Sequence, residues 1–536
     1  MALLQDIPVS HRYLNLPVNT KALTQWMTVR LKDTLVQQFE IKLAPDSPEF
    51  FVYLDLAAHV GGCVTVEAQA DVEELYRSLH FSDHIAGHEE MYEESLRPQF
   101  HFTSRRGWIN DPIGLHRAGD TYHLFYQHNP YGVDWGNMHW GHAVSTDMVH
   151  WSDLGDVLFP DAQGTMWSGS GVVDVHNTSG LKSGEKPPQV LVYTAAGDTS
   201  PLSQGMPFTQ CLAYSGDGGM TWTKYEKNPV VGQIRSNNRD PKVFWHKGSG
   251  RWVMALFLAH GVYSLLSSPD LTHWEQMCDV AMPGCAECPD FFELPVDDNP
   301  GDTRWVFFAA TRGAYRIGHF DGRVFSPESP VLYTVPEGAH SYAAQTWNLD
   351  VQQDARRIQM SWANATMPGM PFHGFLTFPC TLSLRTTTQG LRLFVYPIRE
   401  VERLYKSSRA YADVILDDAQ VCFPASGLLD IHAVFAPGSA KTLGLVIRGT
   451  PVVYQVPEKR LTCRNVTCDL ESEDGRIVLR ALVDQVSLEI FGNEGLAYMP
   501  LGLVYETQDG FCAFAQGGRA ELLSLEVREL GGTWRE

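Results

Sequence analysis

The sequence predicts an all-β protein: a five-bladed β-propeller followed by a C-terminal β-sandwich, with a small β-rich module in front. Three observations predict it. The 46 glycines and 31 prolines are spread along the chain, which suits strands and turns more than helices. Between about residues 100 and 400 a strand, a Ser/Asp turn and a tryptophan recur at spacings of roughly 50 to 70 residues, the interval of blades of about four strands. Beyond Leu404 short alternating apolar and polar stretches read as sandwich strands.

At 536 residues the chain is too long for one core, so two or three domains are expected. We divide it at 1–96, 97–400 and 401–536. A net charge of -21 argues against nucleic acid, for which a basic patch is expected. No internal apolar run approaches about 18 residues, so no membrane span is expected. The first twenty residues lack a basic region, a long apolar stretch and a small-residue cleavage site. The reading leans cytoplasmic, or secreted if the chain begins at a mature end. Cysteines such as Cys63, Cys211, Cys422 and Cys512 sit singly in apolar stretches and are expected as free buried thiols. Asn177, Asn364 and Asn465 head glycosylation-type triplets, relevant only if the protein is exported. A homo-oligomer is left open.

In the module, Glu49–Asp55 and Cys63–Ala68 read as strands joined across Gly61-Gly62, followed by helical stretches from Asp71 to Phe81 and His88 to Leu96. In the propeller region the repeat reads Ser145-Thr146-Asp147 to Trp151, Ser215-Gly216-Asp217 to Trp222, and Ser268-Pro269-Asp270 to Trp274, with Phe320-Asp321-Gly322 a degenerate fourth. Those aspartates read as hairpin caps. A plain sandwich with recurring hairpins is the competing architecture. In the last third, Leu443–Ile447, Ile477–Val483 and Val486–Phe491 read as strands.

The stretch Trp108–Trp151 crowds Trp, Tyr, His, Asn and Asp between two strand-like pieces. A core does not need that mixture, whereas a sugar site does: carboxylates and amides bind hydroxyls, and aromatic faces bind the apolar side of a ring. Three acids lie in similar turns, each with proline within two residues: Asp111 in Asn110-Asp111-Pro112, Asp240 in Arg239-Asp240-Pro241, and Glu287 in Glu287-Cys288-Pro289-Asp290. In a propeller the inner strands converge, so one acid from each of three blades could meet at the axis. Cleaving a glycosidic bond takes a nucleophile or base and an acid held in different protonation states. Hemmed by Cys285, Cys288 and Phe291, Glu287 is expected to have a raised pKa. Asp111 is expected to stay ionised beside Asn110, and Asp240 to be held as a carboxylate by Arg239. Taken singly, each is more often a surface turn.

Trp108-Ile109-Asn110-Asp111-Pro112-Ile113-Gly114 resembles the sucrose-box motif of glycoside hydrolase family 32, the invertases, inulinases and levanases. Arg239-Asp240-Pro241 and Glu287-Cys288-Pro289-Asp290 resemble its second and third motifs, in order. Leu124–Pro130, Trp135-Gly136 through His142, Trp167-Ser168-Gly169-Ser170, and Tyr342–Thr346 with Arg356-Arg357-Ile358 match further signatures, and Leu482-Val483-Asp484 to Glu489-Ile490-Phe491 resembles the family's C-terminal sandwich. The likeness spans about residues 97–530, and the first 96 resemble an extra N-terminal module of some levanase-like members. It implies a five-bladed propeller backed by a sandwich. It also implies a retaining reaction with Asp111 as nucleophile, Glu287 as acid/base and Asp240 as transition-state stabiliser. Asn110, Gln127, Trp135, Trp167, Ser168 and Arg239 match positions around the fructosyl unit. No metal or organic cofactor is implied; the partner is sucrose or a levan- or inulin-type fructan.

Three departures stand out. Ile113 replaces the motif's usual second Asn, Trp167 stands where Phe is frequent, and His340 where an acid or amide often precedes the Tyr342 segment. A fructosyltransferase, a catalytically silent carbohydrate-binding protein and an inverting arabinan hydrolase are the other readings. A zinc site at Cys285-x-x-Cys288 lacks a second pair. Asp290 and Glu293 compete with Glu287 as the acid, and His139 and His142 read as polar residues near a pocket.

Overall fold

The computed structural model describes residues 2–349, 354–507 and 510–534. In it the strand–turn–Trp repeat becomes the blades of a propeller. The inner strands are Gly107–Ala118, Thr165–Val173, Arg239–His246, Asp290–Val296 and Tyr342–Thr346, and each runs antiparallel to the next strand of its blade. The fourth and fifth blades are joined by a parallel pairing of Val296 with Leu384.

The repeated turn links the third strand of a blade to its fourth, and its chemistry explains its residues. The Ser145 hydroxyl donates to Asp147 (3.1 Å), Ser215 to Asp217 (2.7 Å) and Ser268 to Asp270 (3.2 Å). Each aspartate then accepts backbone N–H groups ahead of it, from Val149 and His150, Met220 and Thr221, Thr272 and His273. The tryptophan that follows closes the turn by donating its indole N–H to the carbonyl of Met148, Gly219 or Leu271. Burial works against these three carboxylates, but the side-chain and backbone donors outweigh it and hold each at about 2. The degenerate fourth copy keeps the essential part, with Asp321 accepting from Arg323 and Val324 N–H.

Polar side chains pin the inner strands to one another. Asn348 donates to the carbonyls of Gly171 (2.8 Å) and Val243 (2.9 Å), and Gln345 to that of Gly169 (3.0 Å). Buried Lys242 bonds the Thr346 carbonyl and lies 3.3 Å from Asp290, which also accepts from Thr346 N–H.

The sandwich consists of two six-stranded sheets between Tyr405 and Leu530 that share one core. The three strands expected there are present as Thr442–Ile447, Ile477–Val483 and Ser487–Gly492. Cys422 and Cys512 are not free thiols as expected: Gln420–Phe423 pairs antiparallel with Phe511–Gln516 in a register that sets the two opposite each other, and they are disulfide-bonded. Cys211 is free and buried, whereas Cys63 is free but exposed.

The sandwich is latched to the propeller through His101. Its Nδ1 meets Asp484 (2.8 Å) and its Nε2 meets Glu489 (2.6 Å), with all three side chains sealed from solvent. Glu489 also accepts from the Phe378 N–H of the propeller. Burial alone would lower the imidazole pKa, but the two carboxylates outweigh it and raise it to about 9. A raised folded-state pKa stabilises fully below the unfolded value of about 6.5 and is lost as pH rises through 9. We therefore expect wild type to lose on the order of 3 kcal/mol of stability from this site between pH 6 and pH 9 or above. Thermal melts of wild type and His101→Gln across that range check it: the variant should lack this part of the slope.

The N-terminal module is richer in strands than expected. Ala2–Pro8, Tyr13–Val18, Gln25–Leu31 and Thr34–Ile41 precede the two that were predicted. Phe50–Asp55 and Cys63–Ala68 are not a hairpin, because they belong to different sheets packed on one core. Only Val72–Ser78 is α-helical, capped by Asp71, and His80–Ser82 is a strand. The stretch from His88 holds a single 3-10 turn, His88–Glu90.

Candidate active site

The three acids sit where inner strands leave regular pairing. The ladder between Gly107–Ala118 and its neighbour breaks between Ile109 and Pro112, freeing Asn110 and Asp111. That of Arg239–His246 breaks between Arg239 and Lys242, around Asp240 and Pro241. Glu287 lies just ahead of Asp290–Val296. A bulge re-aims side chains that a regular strand would alternate, and proline suits such a position because it has no N–H to leave unpaired. The backbone is left-handed at Asp240 (φ 62), Glu287 (φ 62), Cys288 (φ 36) and Ala343 (φ 51), a conformation that costs a non-glycine residue on the order of 1 kcal/mol or more.

Asp111 is held from both sides. Its Oδ1 accepts from Asn110 Nδ2 (2.9 Å) and its Oδ2 from the Ser168 hydroxyl (2.5 Å). Asn110 is itself set by the Trp108 indole N–H, which donates to its Oδ1 (2.8 Å). Ser168 reaches Asp111 because its strand is also bulged, between Trp167 and Gly169. Gly169 must be glycine, since a Cβ there would stand 2.0 Å from the Val192 carbonyl oxygen.

Cys288 ties the triangle together. Its N–H donates to Asp240 Oδ2 (3.1 Å), and its thiol lies 3.4 Å from Asp111 Oδ2 and 3.7 Å from Asp240 Oδ2. Burial and the surrounding acids push the thiol pKa well up, so it stays a donor. Asp240 N–H donates to the Thr194 hydroxyl (2.9 Å).

Charges in the site are distributed differently from the sequence expectation. Arg239 does not pair closely with its neighbour Asp240: its Nε is 3.7 Å away, while Nη2 donates to Glu287 Oε1 at 2.8 Å. The other Glu287 oxygen accepts from the Tyr342 hydroxyl. The Glu287 carboxylate therefore faces donors, not the apolar hem of Cys285, Cys288 and Phe291, and about a third of its side chain is exposed. Asp240 is the acid pushed up, to about 7, chiefly by burial, with Arg239 opposing and Glu287 and Asp111 adding repulsion. Burial also raises Asp111 above the usual carboxylate range, against the hydrogen bonds from Ser168 and Asn110. Three mutually repelling acids titrate as a set.

Aromatics stand around this centre. Trp135 is 55% exposed and meets the edge of Trp167 at 5.7 Å. Trp108 is stacked on His373 (4.8 Å) and touches Trp362 (5.5 Å). Gln127 is buried with its amide nitrogen bonded to the Met166 carbonyl, beside Trp167 in sequence, so it shapes the wall next to Ser168. Ile113 does not face the acids at all: it packs with Phe125, Trp140 and Met166 between blades, so its departure from the motif bears on packing. His340 accepts from the Gly502 N–H at the sandwich. Asp290 is fully buried on Lys242 and Glu293 bonds Thr303, which removes both as rivals of Glu287.

Sequence reasoning missed Tyr342 and Cys288 as site groups, although both lie in quoted motifs. It missed Thr194, Trp362 and His373 altogether, which reach the centre from strands and loops without local signal.

Residues 101–397 match the family model for the glycosyl hydrolases family 32 N-terminal domain, and 400–529 that for the family 32 C-terminal. Over 493 residues the chain is 35% identical to a levanase of Bacillus subtilis (strain 168), covering 83% of this chain and 72% of that one. It is 29% identical to an extracellular exo-inulinase of Aspergillus niger, covering 83% and 96%. Its fold is similar to the crystal structure of an exo-inulinase from Aspergillus awamori, with a TM-score of 0.74 and 26% identity over 83% of this chain and all of that one. Two acids on inner strands with a third just ahead of another, a propeller backed by a sandwich, and both matched regions agree: the chain belongs to glycoside hydrolase family 32.

Proposed function

We propose that the protein is a retaining β-fructosidase that removes terminal fructose from levan- or inulin-type fructans and from sucrose. The observation that carries this reading is the meeting of Asp111, Asp240 and Glu287 around Cys288, with different partners on each. Asp111 is the nucleophile. Its two oxygens are fixed by Asn110 and Ser168, which favour the anion and aim it at the anomeric carbon. Glu287 is the acid/base, because its side chain is 32% exposed against 7% for Asp240 and can meet a leaving oxygen at the pocket mouth.

Asp240 is the stabiliser that binds fructose hydroxyls. In the free site burial raises its pKa to about 7, so it holds a proton through part of the neutral range. Hydroxyls donating to it on binding favour its anion, and Glu287 supplies the proton that the leaving oxygen needs. The anomeric C–O bond then breaks as Asp111 forms an ester with the fructosyl carbon. Water that gives its proton to Glu287 attacks that carbon and releases fructose with net retention.

Progress curves on sucrose, inulin and levan, repeated with methanol as a competing acceptor, test this. The expected products are free fructose from all three and methyl β-fructofuranoside from the methanol arm. An α-methyl product would sink retention. Longer oligosaccharides replacing free fructose would make the enzyme a transferase or an endo-hydrolase.

A further inference from the structure

A cleft of about 710 Å³ lies where the N-terminal module, the propeller and the sandwich meet. Lys21 and Glu49 line it from the module, Val133 from the first blade, Thr366, Met370 and His373 from the fifth. Its size falls within the roughly 300–1,000 Å³ of ligand-binding pockets. No acid of the catalytic triangle lines it, so it lies outside the catalytic centre itself.

Two observations tie the cleft to the active site. His373, on its wall, lies flat on Trp108, and the Trp108 indole N–H bonds Asn110 beside Asp111. Val133, on another wall, is two residues from Trp135 at the aromatic rim. The module also grips the segment that carries both residues. Glu40 N–H donates to Asn137 Oδ1 and Asn137 Nδ2 returns a bond to the Glu40 carbonyl, each at 2.8 Å. Lys42 pairs with Asp134 at 2.6 Å, and Phe39 stacks on Tyr131 at 3.7 Å. The module is thus fixed to the rim instead of hanging from a linker.

From this arrangement we infer that the cleft is a second subsite that holds the neutral fructan chain behind the unit being cleaved, and that the N-terminal module is part of the substrate-binding surface. The chemistry matches such a chain. Lys21, Glu49 and Thr366 offer donors and acceptors to hydroxyls, while Met370 and the His373 ring offer apolar faces. Sucrose ends one sugar past the scissile bond and is too short to extend along the cleft. The inference rests on the fructan reading given above.

The test uses the full chain with Thr366→Trp, which narrows the cleft, and separately the double variant Lys21→Ala/Glu49→Ala. Each is compared with wild type on sucrose and on inulin and levan of about ten or more units. The expected result is a fall of about tenfold in kcat/KM on the polymers, carried by KM, with sucrose within about twofold of wild type. Retained sucrose turnover also reports an intact fold. Equal losses on sucrose and polymer, or no loss on either, overturn the subsite while leaving the fructosidase reading intact. A wild type that splits sucrose but neither polymer overturns the fructan reading itself, and this one with it.

Discussion

Asp111→Ala is expected to lower kcat on sucrose and fructans by about 10⁵-fold or more, roughly 7 kcal/mol of transition-state stabilisation. In the proposed mechanism Asp111 is the group that forms the covalent intermediate, and the two neighbouring acids are held away from that task. Asp240 is anchored to the Cys288 N–H and Glu287 is held between Arg239 and Tyr342. The fold should survive. The variant leaves the Ser168 hydroxyl and the Asn110 amide short of a partner, at a cost of about 1 to 3 kcal/mol each. It also relieves a buried carboxylate of its desolvation and of repulsion by Glu287. Asp111→Asn keeps an acceptor for Ser168 and should be equally inactive with a melting temperature near that of wild type. Fructose release and thermal melts on both variants check this. Residual activity above about 1% in either removes Asp111 as nucleophile.

Glu287→Gln should separate substrates by their leaving groups. On sucrose, whose departing oxygen needs a proton, we expect a loss of about 10³-fold. On a fructoside with an activated aryl leaving group the first step needs little help, so its burst of aryl alcohol should persist, with the slow step moved to breakdown of the intermediate. Added azide, which attacks without a general base, should restore turnover of the aryl substrate but not of sucrose. The pH profile is a second readout. Wild-type activity is expected to fall at alkaline pH as the coupled acids give up their shared proton, and Asp240 at about 7 places that limb near neutrality. The variant should lose the limb on the aryl substrate. Arg239, no longer facing a carboxylate, can turn to Asp240, now 3.7 Å away, and hold it ionised. Equal losses on both substrates would assign the acid elsewhere.

The fold and the three acids were legible because their signals are local. An acid followed closely by proline marks a place where a strand stops pairing, and the Ser-x-Asp turn with its closing tryptophan repeats blade by blade. What was not legible depends on where side chains point. Sequence adjacency suggested that Arg239 holds Asp240, yet the broken ladder between Arg239 and Lys242 sends the guanidinium to Glu287, 48 residues away. Tyr342 lies 55 residues from Glu287, and nothing in its local sequence points to that partner. The disulfide required the register that sets Cys422 opposite Cys512, and the grip of Glu40 on Asn137 joins residues 97 apart. In the module, ALLQDIP at Ala2–Pro8 alternates poorly and conceals a strand.

The left-handed backbone at Asp240, Glu287, Cys288 and Ala343 makes catalysis a more sensitive gauge of damage than folding is. Such conformations persist only while their surroundings over-determine them. Around Glu287 that restraint comes from the Ala310 N–H and the Tyr263 hydroxyl, which donate to its carbonyl, and from the Thr311 hydroxyl, which accepts from the Ala286 N–H. Loosening any of them lets one acid relax toward ordinary geometry, and a displacement of about 1 Å is enough to cost two orders of magnitude in rate. In a drifting population of variants, turnover would erode first and the melting temperature last.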